Sequence, residues 1–130
     1  MMKNIEYIMD LLDWNNNIEK QKRGISIAKS EKDISVFLQP NLPQYNKNVW
    51  DNCAIIVSSR TDDELIPHIC ELLCWIQDLN WPGACCILDR LNDFKDKKCM
   101  VPALISCIEM AHETGDEIWE SNLGMVHIPE

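Results

Sequence analysis

Glycine is scarce in this chain of 130 residues, which has four in all. Phosphate-cradling loops, nucleophile elbows and calcium loops each need glycine at fixed offsets. No glycine-rich phosphate loop, GxSxG, HExxH or EF-hand pattern occurs. Positive charge is also in short supply: 12 basic residues stand against 21 acidic ones, a formal net charge of -9. That field repels phosphate backbones, which argues against nucleic-acid binding as the main role. It favours encounter with a cationic partner instead. Long apolar runs are missing too, and none approaches the roughly 20 residues a membrane helix needs. The opening MMKNIEYIMDLLDW shows no charged-then-apolar leader with a small-residue cleavage site. The expectation is a cytoplasmic protein, not embedded in a membrane.

What is present is ordinary globular composition, 46% hydrophobic and 25% charged. A chain of this length makes one domain and hides roughly two-thirds of the surface it exposes when unfolded. The seven cysteines are an odd number without an export signal, so they read as cytosolic thiols packed as small hydrophobes.

Apolar residues recur at helical spacing almost throughout. Ile5, Ile8 and Leu12, then Ile18, Ile25 and Ala28, then Ile34, Phe37 and Leu38 mark a weaker N-terminal part. Stronger stripes follow: Trp50, Cys53, Ala54, Val57; Leu65, Ile69, Leu72, Leu73, Ile76; Ala84, Ile87, Leu88, Leu91; and Val101, Leu104, Ile105, Ile108. Only the β-branched run at 53–57 could instead be a short buried strand. Thr61 to Glu64 fits a capping box. Ser30 to Asp33 is a weaker one, and Thr114 to Glu117 a third unless Gly115 ends the preceding helix. Asn80-Trp81-Pro82 reads as a helix start capped by Asn80. The segment 39–48, with Pro40 and Pro43, reads as the longest loop.

Small residues at Gly24, Cys53 and Gly83, with capping signals at Ser30 and Thr61, suggest a degenerate repeat of about 30 residues. Pro67 and Pro102 sit in similar surroundings. The fold expected is all-α: a short HEAT-like stack of helical hairpins, with an irregular helical bundle as the alternative. One helical-repeat domain would span 1–130, with weaker helices and a loop over 1–48, a core over 49–123 and a tail over 124–130.

The block Trp75-Ile76-Gln77-Asp78-Leu79-Asn80-Trp81-Pro82-Gly83-Ala84 resembles the signature of a bacterial family of small domains of unknown function. Trp50-Asp51-Asn52-Cys53-Ala54 also resembles a block of that family, and the likeness runs from about residue 50 to about 92. The resemblance implies a HEAT-like helical fold and assigns no catalytic residue. Some similarly small acidic helical proteins of bacteria neutralise toxins, which makes an immunity protein a hypothesis here.

Trp50, Asp51, Asn52, Trp75, Asp78, Asn80 and Trp81 are the candidate residues, either as family signature or as partner-binding positions. Two readings compete for the Trp75–Gly83 block. It is a rigid corner between helices, or Trp75, Asp78 and Trp81 form an exposed anchor. Zinc would need four convergent ligands. Cys70 and Cys74 offer one pair with His68 nearby, but no second pair follows, and Cys85 and Cys86 point apart on a helix. His68 and Cys70 face different sides of their helix, and His112 with Cys107 is no better placed, so no thiol nucleophile is apparent. His127 falls in the tail. No metal, cofactor or catalytic set is assigned. The carboxylates at 62–64, 113–120, Asp10 and Asp13 read as helix-terminal charge, with one further use as an acidic surface. The function expected is a non-enzymatic protein-binding domain that docks a basic protein. The alternative is a small-ligand binder or enzyme with a pocket near Trp75, Asp78 and Trp81. Oligomeric state stays open.

Overall fold

A computed structural model of the chain describes residues 2–128. They are all-helical, with no strand among the described residues. The chain packs as two compact units that meet in sequence at Ser59 and Arg60.

The first unit contains α1 (Met2–Leu12), α2 (Ile18–Ala28), a 3₁₀ turn (Ile34–Phe37) and α3 (Lys47–Ser58). Gly24 lets α1 and α2 approach closely. A Cβ there would stand 2.8 Å from Leu11 Cβ and 2.9 Å from Leu12 Cδ2. The β-branched run in α3 is helical, with Cys53, Ala54, Ile56 and Val57 buried and Ile55 outward. Two polar groups bolt this unit together. The Asn52 amide donates to the Leu12 carbonyl at 2.7 Å and to Gln21 Oε1 at 2.9 Å. The Trp50 indole donates to the Pro40 carbonyl at 2.8 Å, which holds the 39–46 loop against α3.

The second unit contains α4 (Asp62–Leu65), a 3₁₀ turn (Ile66–His68), α5 (Ile69–Trp75), α6 (Ala84–Asn92), a second 3₁₀ turn (Lys97–Met100), α7 (Val101–Glu113) and α8 (Glu117–Leu123). Its core is Leu65, Ile69, Leu72, Leu73, Trp75, Ile76, Ile87, Leu91, Met100, Leu104, Cys107, Trp119 and Leu123. The capping box at Thr61 forms as expected: Thr61 Oγ1 accepts from Glu64 N at 3.2 Å, and Glu64 Oε1 accepts from Thr61 N at 3.2 Å.

Several local expectations are corrected. The stripe from Leu65 is not one helix; Pro67 lacks an N–H to donate, and the chain tightens to 3₁₀ there. Ser30 does not open a helix. Its hydroxyl donates to the Ile27 carbonyl at the end of α2, and Asp33 caps the turn that follows. At 114–117 Gly115 ends α7 with φ +70°, and Asp116 caps α8 by accepting from Trp119 N at 3.0 Å. α6 starts at Ala84 behind Gly83, whose φ is +83°, so Asn80 is not its cap. Gly24, Cys53 and Gly83 thus do three different things: close approach, core filling and a left-handed turn. Their spacing marks no repeated role.

On α7 the buried stripe is Leu104, Cys107 and Ala111, whereas Ile105 is 52% exposed. Residues 124–127 are not loose. Val126 is buried, and the Asn92 side chain donates to the Met125 carbonyl and accepts from His127 N. That leaves His127 held by its backbone rather than frayed. Residues 129 and 130 of the expected tail lie outside the described residues.

Candidate functional site

Trp75 is fully buried, and its indole donates to the Pro82 carbonyl at 3.0 Å across the corner. Asp78 Oδ1 accepts from Asn80 N at 2.8 Å, and the Asp78 carbonyl accepts from Trp81 N at 3.0 Å. These bonds make an Asx turn from which Gly83 releases α6. Trp81 and Asp78 are half-buried and Asn80 exposed. Trp50 and Asn52 are buried ties in the other unit, and Asp51 is exposed. Four surface cavities stand out in the molecule, and none is walled by Trp75, Asp78 or Trp81. The geometry of the block is that of a corner.

Two residues of the same structural kind carry no sequence motif. Trp119 and Asn122 lie one turn apart on α8. The Trp119 indole donates to the Leu73 carbonyl at 3.1 Å, and the Asn122 amide donates to the Ile76 carbonyl at 2.8 Å. The Asn122 bond satisfies a carbonyl just past the end of α5, and the Trp119 bond adds a second donor to the Leu73 carbonyl, which Ile76 N also reaches. The available signal was the pair of polar-headed side chains spaced three apart behind the Asp116 cap.

A second tie joins α4 to α6. Arg90 Nη2 meets Asp62 Oδ1 at 2.6 Å and the Arg60 carbonyl at 2.9 Å, while its guanidinium lies 5.0 Å from the centre of the Phe94 ring. Asp62 Oδ2 also accepts from Lys95 N. The Lys95 N–H, then the Arg90 guanidinium, hold the Asp62 carboxyl below its usual range. Glu64 is lowered as well, first by the Thr61 backbone N–H. The cavity beside this tie, about 370 Å³, is lined by Thr61, Asp62, Asp63, Arg90, Asp93 and Lys95. Within it Asp62 bonds both the Arg90 guanidinium and Lys95 N.

The thiols divide differently from expectation. Cys53 and Cys107 are buried, but Cys70 and Cys85 are exposed and the others intermediate. Packing therefore explains two of the seven. Burial pushes the Cys107 thiol up to about 12 and raises Cys53, Cys74 and Cys99. Raised thiols are poor nucleophiles and poor metal ligands. Among the described residues, no three His, Cys, Asp or Glu side chains converge to hold a metal ion.

The charge is placed unevenly. Residues 1–59 carry seven basic and seven acidic side chains, whereas 60–130 carry five and fourteen. The whole net charge of -9 therefore belongs to the second unit. No Lys or Arg occurs after Lys98. There, α7 and α8 enclose an open cleft of about 570 Å³ lined by His112, Gly115, Glu117, Glu120 and Ser121. His112 Nδ1 stands 3.8 Å from Glu120 Oε1, and Glu113, the next residue along α7, is exposed. Chemically, the cleft can receive a cation.

In the first unit, a cavity of about 380 Å³ is lined by Ile5, Glu6, Met9, Val36, Leu42, Gln44 and Tyr45. The Tyr45 hydroxyl donates to Asp10 at 2.8 Å. Burial, then that bond, pushes the phenol up to about 12. No helix among the described residues is long and apolar enough to cross a membrane.

No curated protein and no solved structure matches the chain. The family model "Domain of unknown function (DUF5071)" matches residues 44–129, from the start of α3 to beyond α8. That span is longer than the 50–92 suggested by the two tryptophan blocks, and it includes Trp119 and Asn122. On that match over most of its length, the chain belongs to the DUF5071 family of domains of unknown function.

Proposed function

We propose that this chain is a non-enzymatic protein-binding module, a short HEAT-like stack whose acidic surface docks a basic protein. The observation that carries the reading is the concentration of the entire net charge in residues 60–130, with an acidic cleft between α7 and α8. An open cleft lined by Glu117 and Glu120, with the exposed Glu113 next in sequence to its His112, steers cationic side chains by long-range attraction. Helical stacks commonly serve partner recognition through extended surfaces. A bacterial immunity protein that neutralises a basic toxin is the biological role this chemistry suits.

The test is a pull-down with the full chain from the native host at 50 and 200 mM NaCl, followed by titration of the recovered protein. A basic partner should bind more weakly as salt rises, because exposed charges are screened beyond about 8 Å at physiological ionic strength. Reversing the cleft with Glu113→Lys, Glu117→Lys and Glu120→Lys should weaken binding by roughly a hundredfold at low salt, close to 1 kcal/mol for each charge. Recovery of no partner at either salt, or of one indifferent to the reversal, would count against the reading. The small-ligand alternative gains no support from the corner at Trp75, Asp78 and Trp81, which walls none of the four cavities.

A further inference from the structure

α7 buries one side and carries exposed apolar side chains on another. One side, Leu104, Cys107 and Ala111, is buried in the core. The other runs Pro102, Ile105, Ser106, Glu109 and Met110, all exposed, at the spacing of one helical stripe. Ile105 is 52% and Met110 51% exposed. Cys99, Pro102, Ala103 and Ser106 line one side of a shallow groove of about 340 Å³, and Ile66, Pro67, Ile69 and Cys70 line the other. The first turns of both helices line the same groove, and farther along Cys74 of α5 faces Cys107 of α7. The two helices therefore run side by side in the same direction. The lining is almost wholly uncharged, which is unusual in a unit with five basic and fourteen acidic residues.

Charge is ordered along this groove. At its beginning, by Cys99, the charges are mixed: Lys97 and Lys98 on the 3₁₀ turn that precedes α7 stand with Asp96 and Asp62. Glu71 on α5 and Glu109 and Glu113 on α7 stand farther along, all exposed, and the acidic cleft at His112, Glu117 and Glu120 follows. The negative end of the α7 dipole points the same way. An occupant must therefore offer apolar side chains to the floor and positive charge to the far end.

We infer that the α5–α7 groove docks a basic amphipathic helix, with apolar side chains at helical spacing along Ile66, Cys70, Ser106 and Met110, and Lys or Arg toward Glu109, Glu113 and the α7–α8 cleft. This rests on the acidic-docking reading and names the partner's form. An apolar stripe flanked by complementary charge is what helix-in-groove recognition uses. The groove supplies contact area, and the acidic end supplies orientation.

Two 14-residue peptides of identical Leu, Lys and Ala composition separate this from attraction by charge alone. One places leucine at helical spacing with lysine toward one end, and the other is scrambled. Calorimetric titration of the full chain at 100 mM NaCl should show the ordered peptide binding at least tenfold more tightly. The variant carrying Ser106→Glu and Met110→Glu is more acidic yet less apolar. Both positions are exposed, and an unchanged helical spectrum and melting temperature would establish that it folds. It should bind the ordered peptide roughly tenfold more weakly, the effect of losing about two buried methylenes. Tighter binding by the variant, equal binding of both peptides, or no binding of either would overturn the groove inference. The salt-dependent capture of a basic protein at Glu113, Glu117 and Glu120 would stand or fall separately.

Discussion

Asn122 and Asn80 are the same residue type in opposite circumstances. Asn122 is buried and donates to the Ile76 carbonyl at 2.8 Å, so Asn122→Ala leaves buried acceptors without a donor. The expected cost is about 1–3 kcal/mol in urea denaturation. Asn80 is exposed, and in the Asx turn only its backbone N–H is engaged. Asn80→Ala should therefore change stability by less than about 0.5 kcal/mol. Asp62 adds a pH signature. Its folded pKa is depressed, so the stability it contributes is fully present above the ordinary aspartate value of about 4. That contribution is lost as pH falls through the lowered folded value. Asp62→Asn should cost about 1–2 kcal/mol at pH 7, discounted for partial exposure, and progressively less below pH 4 in acid melts. An equal loss at pH 7 and pH 2 would remove the Arg90 pair as the cause.

Among helices, the two informative glycines differ in what a methyl group would meet. At Gly24 the obstacle is α1 itself, so Gly24→Ala should cost about 1–3 kcal/mol by overpacking the α1–α2 contact. At Gly115 nothing lies within 4 Å, and the only obstacle is the φ of +70°. Gly115→Ala should cost about 1–2 kcal/mol through the left-handed backbone. Comparison of thermal melts decides this, and Gly115→Asn should recover part of the loss because asparagine tolerates that region. The capping box at Thr61 was legible because both partners lie within four residues. The break at Pro67 is not legible in the apolar spacing, which stays helical from Leu65 to Ile76 while the proline interrupts the hydrogen-bond ladder. On α7 the periodicity pointed to Val101, Leu104, Ile105 and Ile108. The core instead took Leu104, Cys107 and Ala111, with Cys107 against Cys74 of α5. Periodicity marks apolar positions but cannot rank them when a helix also exposes apolar side chains.

At the scale of the molecule, electrostatics divides what the fold divides. The net charge lies in residues 60–130, so binding of a cationic protein should depend on that unit and weaken steeply with salt. A log–log plot of affinity against NaCl would show it, and a flat line would remove charge as the driving term. The chain's order of residues determined its helical class, since apolar side chains every three to four positions hide from water only by packing helices together. It also determined the sign of its charge and the local caps, which depend on neighbours within a turn. Tertiary structure alone decided that Trp50, Asn52 and Trp75 are internal ties and that Trp119 and Asn122 close α5. It also decided that the α5–α7 groove stays open. Those outcomes depend on which carbonyls and side chains meet across 7 to 46 positions of sequence, and no local pattern records such meetings.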